Sequence, residues 1–534
     1  MTVDDQTLWA TTTFEARYAG RAGLLYRRSP ETFAELVAGT QCWTDRTFLV
    51  YGQRRITFAE FRNALGAAGN RLADMGVRPR DRVMVFGYNS PEWVLAVWAL
   101  LLAGAVPVLG NRWWSAQEID HAAALLDLRL ILSDTELTTE TPTSPLGDLA
   151  TAFGDPVAEP AHTEPDLDDV AIVLFTSGSS GMPKAVELSR RSVIANQQNI
   201  LVRSGRMPHL LHAESRQTVS LASTPMFHIG GLSSLLTHFL TGGRIVLPEG
   251  RFDAERVMAL MERERVQVWG AVPTMAVRVL QHPAFGTYDL SSLRSWPLGG
   301  APVSAELLDR IRTALPNLRD RGLSNTWGMT EAGGFLTVAD SRDLRDRPGT
   351  VGRPYPVVEL RIDRADPAGR GEVLVRSPTV MLGYAGRPPG GDGTVDADGW
   401  LRTGDLGHLD DEGYLFVDGR SKDIVIRGGE NIACPHVEAA LSSHPAVVEA
   451  AAFGVPHPDL GEELVAVVVY RDGAEPPTVE ELRGHLTSAV SSFAIPSDWR
   501  LTAEPLPTLA GEKVDKRALA AAFTAEREPL THTP

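Results

Sequence analysis

The strongest constraint on the fold of this chain lies between residues 170 and 184. Val170-Ala171-Ile172-Val173-Leu174-Phe175 is an unbroken apolar run, and it leads directly into Thr176-Ser177-Gly178-Ser179-Ser180-Gly181-Met182-Pro183-Lys184. A short apolar run bounded by turn residues predicts a strand covered on both faces. The loop after it crowds hydroxyls, glycines and a lysine into one turn. Glycine lets backbone reach positive φ and come close to a ligand. Successive N–H groups in such a turn form an anion-binding concavity, to which hydroxyls and a lysine add donors and charge. The loop suits the phosphates of a nucleotide. It is not a Walker A loop, because Lys184 is preceded by Pro183 and followed by Ala185 rather than Ser or Thr.

The surrounding pattern fits that strand. Strands are expected at 82–87, 128–132, 218–222, 244–247 and 266–270. Helices are expected at 91–103, 118–126, 189–200, 232–240, 253–264 and 274–280. This alternation is the βαβ signature of a largely parallel sheet covered by helices, an α/β class. The uncharged stretch from Trp93 to Gly110 approaches the length of a membrane span, but Gly104 and Pro107 interrupt it. It reads as a buried helix followed by a buried strand. Residues 135–169 break the rhythm and read as a long surface connection. From about 349 the pattern changes to short strands with turn residues. The expected division is a large N-terminal domain over 1–418, with a β-rich subdomain at about 349–418, and a smaller α+β C-terminal domain over 419–534.

At 534 residues the chain needs more than one core. Its net charge of −16 argues against nonspecific nucleic-acid or anionic-membrane binding, which needs basic surface. An anionic substrate must therefore meet local positive charge. The two cysteines, Cys42 and Cys434, lie far apart and form no CxxC. They support neither a zinc site nor a disulfide framework, and a reducing cytoplasm fits. Acidic Asp4 and Asp5, with no apolar stretch behind them, give no signal-peptide pattern.

Further segments follow in order along the chain. They are Pro225-Met226-Phe227-His228-Ile229-Gly230-Gly231, Leu298-Gly299-Gly300-Ala301-Pro302 and Asn325-Thr326-Trp327-Gly328-Met329-Thr330-Glu331. Trp400-Leu401-Arg402-Thr403-Gly404-Asp405 comes next, then Gly419-Arg420-Ser421-Lys422-Asp423, and Lys513 lies near the end. A single hydroxyl–glycine turn is common in ordinary loops. The ordered set, spanning most of the chain, resembles the adenylate-forming superfamily: acyl-CoA synthetases, adenylation domains of peptide synthetases, and beetle luciferases.

The resemblance implies a site, and elementary chemistry says why each residue type suits it. Adenine needs a flat apolar surface, which Trp327 supplies, while Gly300, Ala301 and Pro302 let backbone approach the purine edge. Ribose hydroxyls suit the Asp405 carboxylate, with Arg420 as a donor beside it. Thr176, Ser177, Gly178, Ser179, Ser180, Gly181, Lys184 and Thr330 would hold phosphate oxygens. Mg²⁺ prefers oxygen ligands while bridging phosphates, which suits Glu331. His228, Gly230, Gly299, Thr326 and Met329 would line the acyl pocket. Lys513 would bridge the substrate carboxylate and the α-phosphate of ATP, so Lys513, Thr330, Glu331 and Lys184 are the catalytic candidates. Lys422 stands at the hinge position about which the family swings its small domain, and Gly428 and Gly429 at a thiol-access tunnel.

The implied reaction is ATP-dependent activation of a carboxylic acid to acyl-AMP with release of pyrophosphate, then transfer to coenzyme A with release of AMP. The alternatives are a ligase that stops at acyl-AMP, or passes it to a carrier protein or partner enzyme, and a non-catalytic nucleotide binder. Amino-acid-activating relatives place an aspartate in the pocket segment near the histidine motif. Gly230-Gly231-Leu232-Ser233 offers no acid, so a non-amino acid is expected. Gly230, Gly231, Gly299 and Gly300 are read as leaving room for a medium, long or bulky apolar acyl group. Two departures stand out. The family's C-terminal motif carries Gly directly before the lysine where this chain has Glu512, and residues 432–438 differ near the thiol tunnel.

Overall fold

The computed structural model describes residues 7–159, 163, 166–177, 182–387, 393–420, 424–427, 430–457, 460–471, 475–487, 489–490, 492–509 and 512–527. The strand Val170–Ser177 lies inside a seven-stranded sheet. Strands Thr143–Pro145, Leu130–Ser133, Arg82–Phe86, Val106–Gly110 and Val170–Ser177 run parallel in that order. Pro183–Ser189 and then Gly383–Tyr384 add antiparallel at the far edge. A second sheet carries Val268–Trp269, Val219–Leu221, Arg244–Leu247 and Thr47–Tyr51 in parallel, with Arg54–Thr57 antiparallel at its edge.

The helices between these strands start and stop on local signals. Helix Pro91–Leu102 has Pro91 in its first turn, and the Ser90 side chain accepts a hydrogen bond from the Trp93 N–H. Every residue of that helix is buried, as the uninterrupted apolar run requires. Helix Arg190–Ser204 is capped by Ser189 and ends at Gly205 with φ 65°. It runs one turn beyond the expected 200, because nothing before Gly205 stops it. Helix Ile229–Leu240 begins at the histidine motif, three residues earlier than expected. These helices meet over an aromatic cluster in which Trp98 and Phe239 lie 4.5 Å apart and Phe48 and Phe239 5.2 Å apart. Phe239 is fully buried, and its truncation to Ala should cost about 3–5 kcal/mol.

Three expectations need correction. Residues 135–169 are not simply a surface connection. Strand Thr143–Pro145 joins the first sheet, and the 3-10 turns of Leu146–Gly154 bury Leu146, Leu149 and Ala152. The expected β-rich subdomain at about 349–418 has no sheet to itself. Its strands continue an eight-stranded sheet that begins with Trp296–Gly299, Leu323–Met329 and Gly334–Ala339. Thr350–Pro354, Leu415–Arg420, Leu401–Leu409, Gly371–Arg376 and Glu359–Asp363 follow in spatial order. Arg420 also lies in this sheet, paired with Asp405, so the break to the C-terminal unit comes after Arg420 rather than at 419. The polar residues 418–420 continue a strand because cross-strand partners hold them.

The C-terminal unit has its own sheet, ordered Glu430–Ala433, Ile424–Arg427, Gly461–Tyr470 and Val447–His457, with Asp498–Thr502 parallel to Gly461–Tyr470. Its faces carry two apolar clusters. One gathers Val437, Leu441, Leu464, Val468, Leu482 and Leu486, and the other Phe453, Val465, Leu506, Leu519 and Phe523.

Candidate active site

The seven-, five- and eight-stranded sheets and one face of the C-terminal unit line a single crevice of about 2890 Å³. Thr176, Lys184, His228, Gly300, Trp327, Glu331, Asp405, Arg420 and Lys513 all contribute to its wall. Segments separated by up to 337 positions in sequence are thus gathered in one place.

Thr176 and Lys184 face each other as cross-strand partners where Val170–Ser177 turns back into Pro183–Ser189. That hairpin presents the lysine at the mouth of the loop, with its Nζ 5.0 Å from the Tyr384 ring centroid. Residues 178–181, which include Gly178, Ser179, Ser180 and Gly181, lie outside the described residues, as do Lys422, Gly428 and Gly429. Tyr384 also donates its hydroxyl to Glu331 Oε1 at 2.9 Å. One aromatic side chain therefore joins the phosphate-loop lysine to the acidic residue expected to meet magnesium. Tyr384 was not singled out in the sequence, where only its place in the short strand Gly383–Tyr384 beside Pro183–Ser189 could have marked it.

Asp405 is the best-supported polar group. It is 3% exposed, its Oδ2 accepts from the Trp327 indole N–H at 2.7 Å, and its Oδ1 accepts from Arg420 Nε at 2.8 Å. Its own N–H donates to Thr403 Oγ1 at 3.0 Å. The expected Asp405–Arg420 pair is present, and the cross-strand register explains it. Trp327 does more than offer a flat face: it is 8% exposed, and its N–H orients the carboxylate. Glu331 is also buried, with one oxygen taken by Tyr384. Carboxylate oxygen is the ligand type that suits a hard cation such as Mg²⁺.

Around the expected acyl pocket, Asn89 fixes the backbone before the histidine. Its Nδ2 donates to Ala222 O and Thr224 O at 3.0 Å each, and its Oδ1 accepts from Met226 N at 2.9 Å. Asn196 fixes the opposite wall, donating to Ser233 Oγ at 2.8 Å and accepting from Phe335 N at 3.2 Å. His228 stands at the start of helix Ile229–Leu240, with its ring 4.6 Å from that of Phe227. Thr326 and Met329 line the crevice on the adjoining strand.

The glycines divide, and the expectation that four of them leave room is corrected. A Cβ on Gly230 would meet nothing within 4 Å. A Cβ on Gly231 would lie 2.3 Å from Pro225 O, and one on Gly299 2.4 Å from Thr326 Oγ1. Those two are glycine because neighbouring atoms fill the space. Gly300 has φ 76°, and a Cβ there would lie 3.8 Å from Lys513 Cε. Its main service is a left-handed turn beneath the lysine.

Lys513 enters from the C-terminal unit on a hairpin. Leu509 N donates to Lys513 O at 2.6 Å, Glu512 N donates to Leu509 O at 3.0 Å, and Thr508 bridges Val514. Lys513 is exposed by surface area in the crevice wall, yet neighbouring protein crowds it enough to desolvate its ammonium. That burial, and then the positive charge of Arg420, lower its pKa, while Glu331 and Asp405 act the other way. A lysine is thus set near Arg420, Glu331 and Asp405 in the crevice wall.

A crevice walled by a parallel-rich domain and by a lysine of a second unit is the setting in which the family match places this chain among the AMP-binding enzymes. Residues 37–385 match the AMP-binding enzyme family, and residues 436–512 match the C-terminal domain of AMP-binding enzymes. The chain belongs to that family.

Similar proteins include a feruloyl-CoA synthase of an Amycolatopsis species, 34% identical over 88% of this chain and 94% of the relative. A 2-succinylbenzoate–CoA ligase of Bacillus mycoides is 31% identical over 89% and 95%. Among solved structures, o-succinylbenzoate CoA synthetase of Bacillus subtilis, in complex with its acyl-adenylate intermediate, aligns with TM-score 0.77 at 28% identity. That alignment covers 91% of this chain and 97% of the other. ATP-bound MatB of Rhodopseudomonas palustris aligns with TM-score 0.80 at 26% identity over 93% and 99%. Among the described residues no helix is long and apolar enough to cross a membrane.

Proposed function

We propose that the acid activated is a non-amino carboxylic acid with a bulky, largely apolar acyl group, and that the adenylate is passed to coenzyme A. The observation that carries this reading is the convergence of Lys513 with Glu331, Asp405 and Arg420 in one crevice. In the first half-reaction a carboxylate oxygen attacks the α-phosphorus of ATP, and the bond to the pyrophosphate leaving group breaks. Two anions must meet, so the protein's work is to neutralise charge and align the attack. Lys513 bridges the carboxylate and the α-phosphate. Lys184 and Thr330 hold phosphate oxygens, Glu331 contacts Mg²⁺, and Asp405 holds the ribose. In the second half-reaction the thiol attacks the acyl carbon and AMP leaves. Lys422 serves as the hinge between the two steps, and Gly428 and Gly429 line the thiol path.

Gly230 supports the size of the acyl group, because open space lies beyond it. The segment 222–241 has no acidic side chain to hold an ammonium. Phe227, Ile229 and Phe335 give the crevice apolar surface. The names of the similar proteins put substituted aromatic acids first among those to test.

The test is acid-dependent ATP–pyrophosphate exchange across a panel of aromatic, medium-chain and long-chain acids, followed by coenzyme A-dependent AMP release. Exchange with a bulky non-amino acid and faster AMP release with coenzyme A are expected. Exchange with amino acids alone would overturn the substrate class. An adenylate indifferent to coenzyme A would overturn the second step and favour a carrier-protein acceptor. No exchange with any acid would leave a silent binder.

A further inference from the structure

We propose that Glu512, Arg278 and Thr274 form an interdomain clamp that positions Lys513 for adenylation. The inference rests on the reading of Lys513 given above. Glu512 is the residue immediately before the lysine. It adopts φ 64°, the left-handed region that glycine occupies freely and a side chain enters at a cost of about 1–2 kcal/mol. A non-glycine residue persists in such a conformation when its surroundings hold it there.

Those surroundings come from one helix of the large domain, Pro273–Gln281. The Thr274 hydroxyl donates to the Glu512 carbonyl oxygen. One turn further along, the Arg278 guanidinium forms an ion pair with the Glu512 carboxylate. Residues 274 and 278 are four apart, so both side chains project from one face of the helix. Backbone and side chain of Glu512 are therefore gripped together, directly beside Lys513. Pairing with Arg278 also accounts for how an acidic residue is accepted next to a site that must hold anions: the carboxylate is neutralised by Arg278 and turned toward the helix. The pair is partly shielded, with side-chain exposures of 31% for Arg278 and 22% for Glu512. Arg278 carries a further acidic neighbour, Glu449 of the C-terminal unit, whose carboxylate accepts from Leu506 N at 3.2 Å. The contacts join the two units only while Lys513 occupies the crevice, so they favour the first half-reaction and must break before the C-terminal unit can reorient.

Glu512, Arg278 and Thr274 are positioning residues, and their signature is a split between half-reactions. Arg278→Gln, Glu512→Gln and the double variant are compared in the full-length enzyme by pyrophosphate exchange and by transfer from a supplied acyl adenylate to coenzyme A. Each single variant should lower the exchange rate at saturating ATP and acid about tenfold, with both KM values unchanged. The double variant should be no slower than the singles, because one interaction has been removed twice. Arg278→Lys should recover to within about threefold of the parent. Transfer from the supplied adenylate should not fall in any of them, which also shows that the variants are folded. Losses that multiply in the double variant, a change confined to KM, equal losses in both half-reactions, or parental exchange rates in the singles would each overturn the clamp. Lys513→Ala, run alongside, separates the two ideas. If it retains exchange, the role given to Lys513 fails; if it loses exchange while the clamp variants do not, the clamp alone fails.

Discussion

At the scale of single residues, the site is organised around two groups, Asp405 and Lys513. Asp405 is buried with a donor on each oxygen: Trp327 on one and Arg420 on the other. Trp327→Phe keeps the ring and removes the N–H. The buried Oδ2 then loses its partner, a loss of about 1–3 kcal/mol. If Asp405 holds the ribose, KM for ATP in the exchange assay should rise about tenfold or more while KM for the acid stays constant. Lys513 is the second group. If it bridges two anions as proposed it must be charged, yet burial and Arg420 lower its pKa from the ordinary lysine value of 10.5. A lysine is charged below its pKa, so kcat/KM for exchange should fall as pH rises through that lowered value. The basic limb of the profile should lie below 10.5 in the parent enzyme. In Lys513→Arg it should move up or vanish, because guanidinium does not titrate in this range. A limb that stays in place would assign it to another group.

At the scale of elements, helix Ile229–Leu240 borders the crevice, the proposed acyl wall, with two adjacent glycines that have opposite reasons to exist. Gly230→Leu adds a side chain to open space, so the fold should tolerate it and KM should rise for bulky acids while smaller acids are spared. Gly231→Ala places a methyl against Pro225 O, at 2.3 Å in the unrelaxed backbone. Relief must move the helix or the histidine segment, at about 1–3 kcal/mol. That variant should show a lower Tm and an equal loss for every acid. A thermal melt and a two-acid exchange assay distinguish the outcomes.

The sequence could not separate these glycines, because both read simply as the absence of a side chain. Other elements were legible for local reasons. The strand at Val170 and the helix at Pro91 carry continuous apolar runs with turn residues or caps at their ends, and the structure places them at Val170–Ser177 and Pro91–Leu102. The Asp405–Arg420 pair was legible as two polar residues in ordered motifs. Asn89, Asn196 and Tyr384 were not, because each is one ordinary polar residue whose importance comes from a partner more than thirty positions away. The extent of the eight-stranded sheet was hidden for the same reason: Thr350–Pro354 pairs across chain segments that periodicity cannot connect.

At the scale of the whole molecule, the two half-reactions make incompatible demands on the C-terminal unit. If Lys513 serves adenylation as proposed, that step needs the lysine beside Gly300, where the structure holds it. On the same proposal, thiol transfer needs that lysine withdrawn and a path opened to the acyl carbon. If this alternation is required, a tether across the interface should divide the reaction at its midpoint. Cysteines at 278 and 512 would be joined by a short bismaleimide, since these side chains already touch. Cys42 is exposed and would compete for the reagent, so it must first be changed to Ser; Cys434 is buried and can remain. The double substitution removes the proposed clamp, so the uncrosslinked double variant is the proper reference. Relative to it, the crosslinked enzyme should retain or regain pyrophosphate exchange, because the covalent link replaces the ion pair and holds Lys513 in place. Coenzyme A-dependent AMP release should fall by about tenfold or more, because the unit can no longer turn. Equal coenzyme A turnover in crosslinked and free enzyme would show that thioester formation proceeds from the closed arrangement, and would remove the reason for Lys422 to act as a hinge.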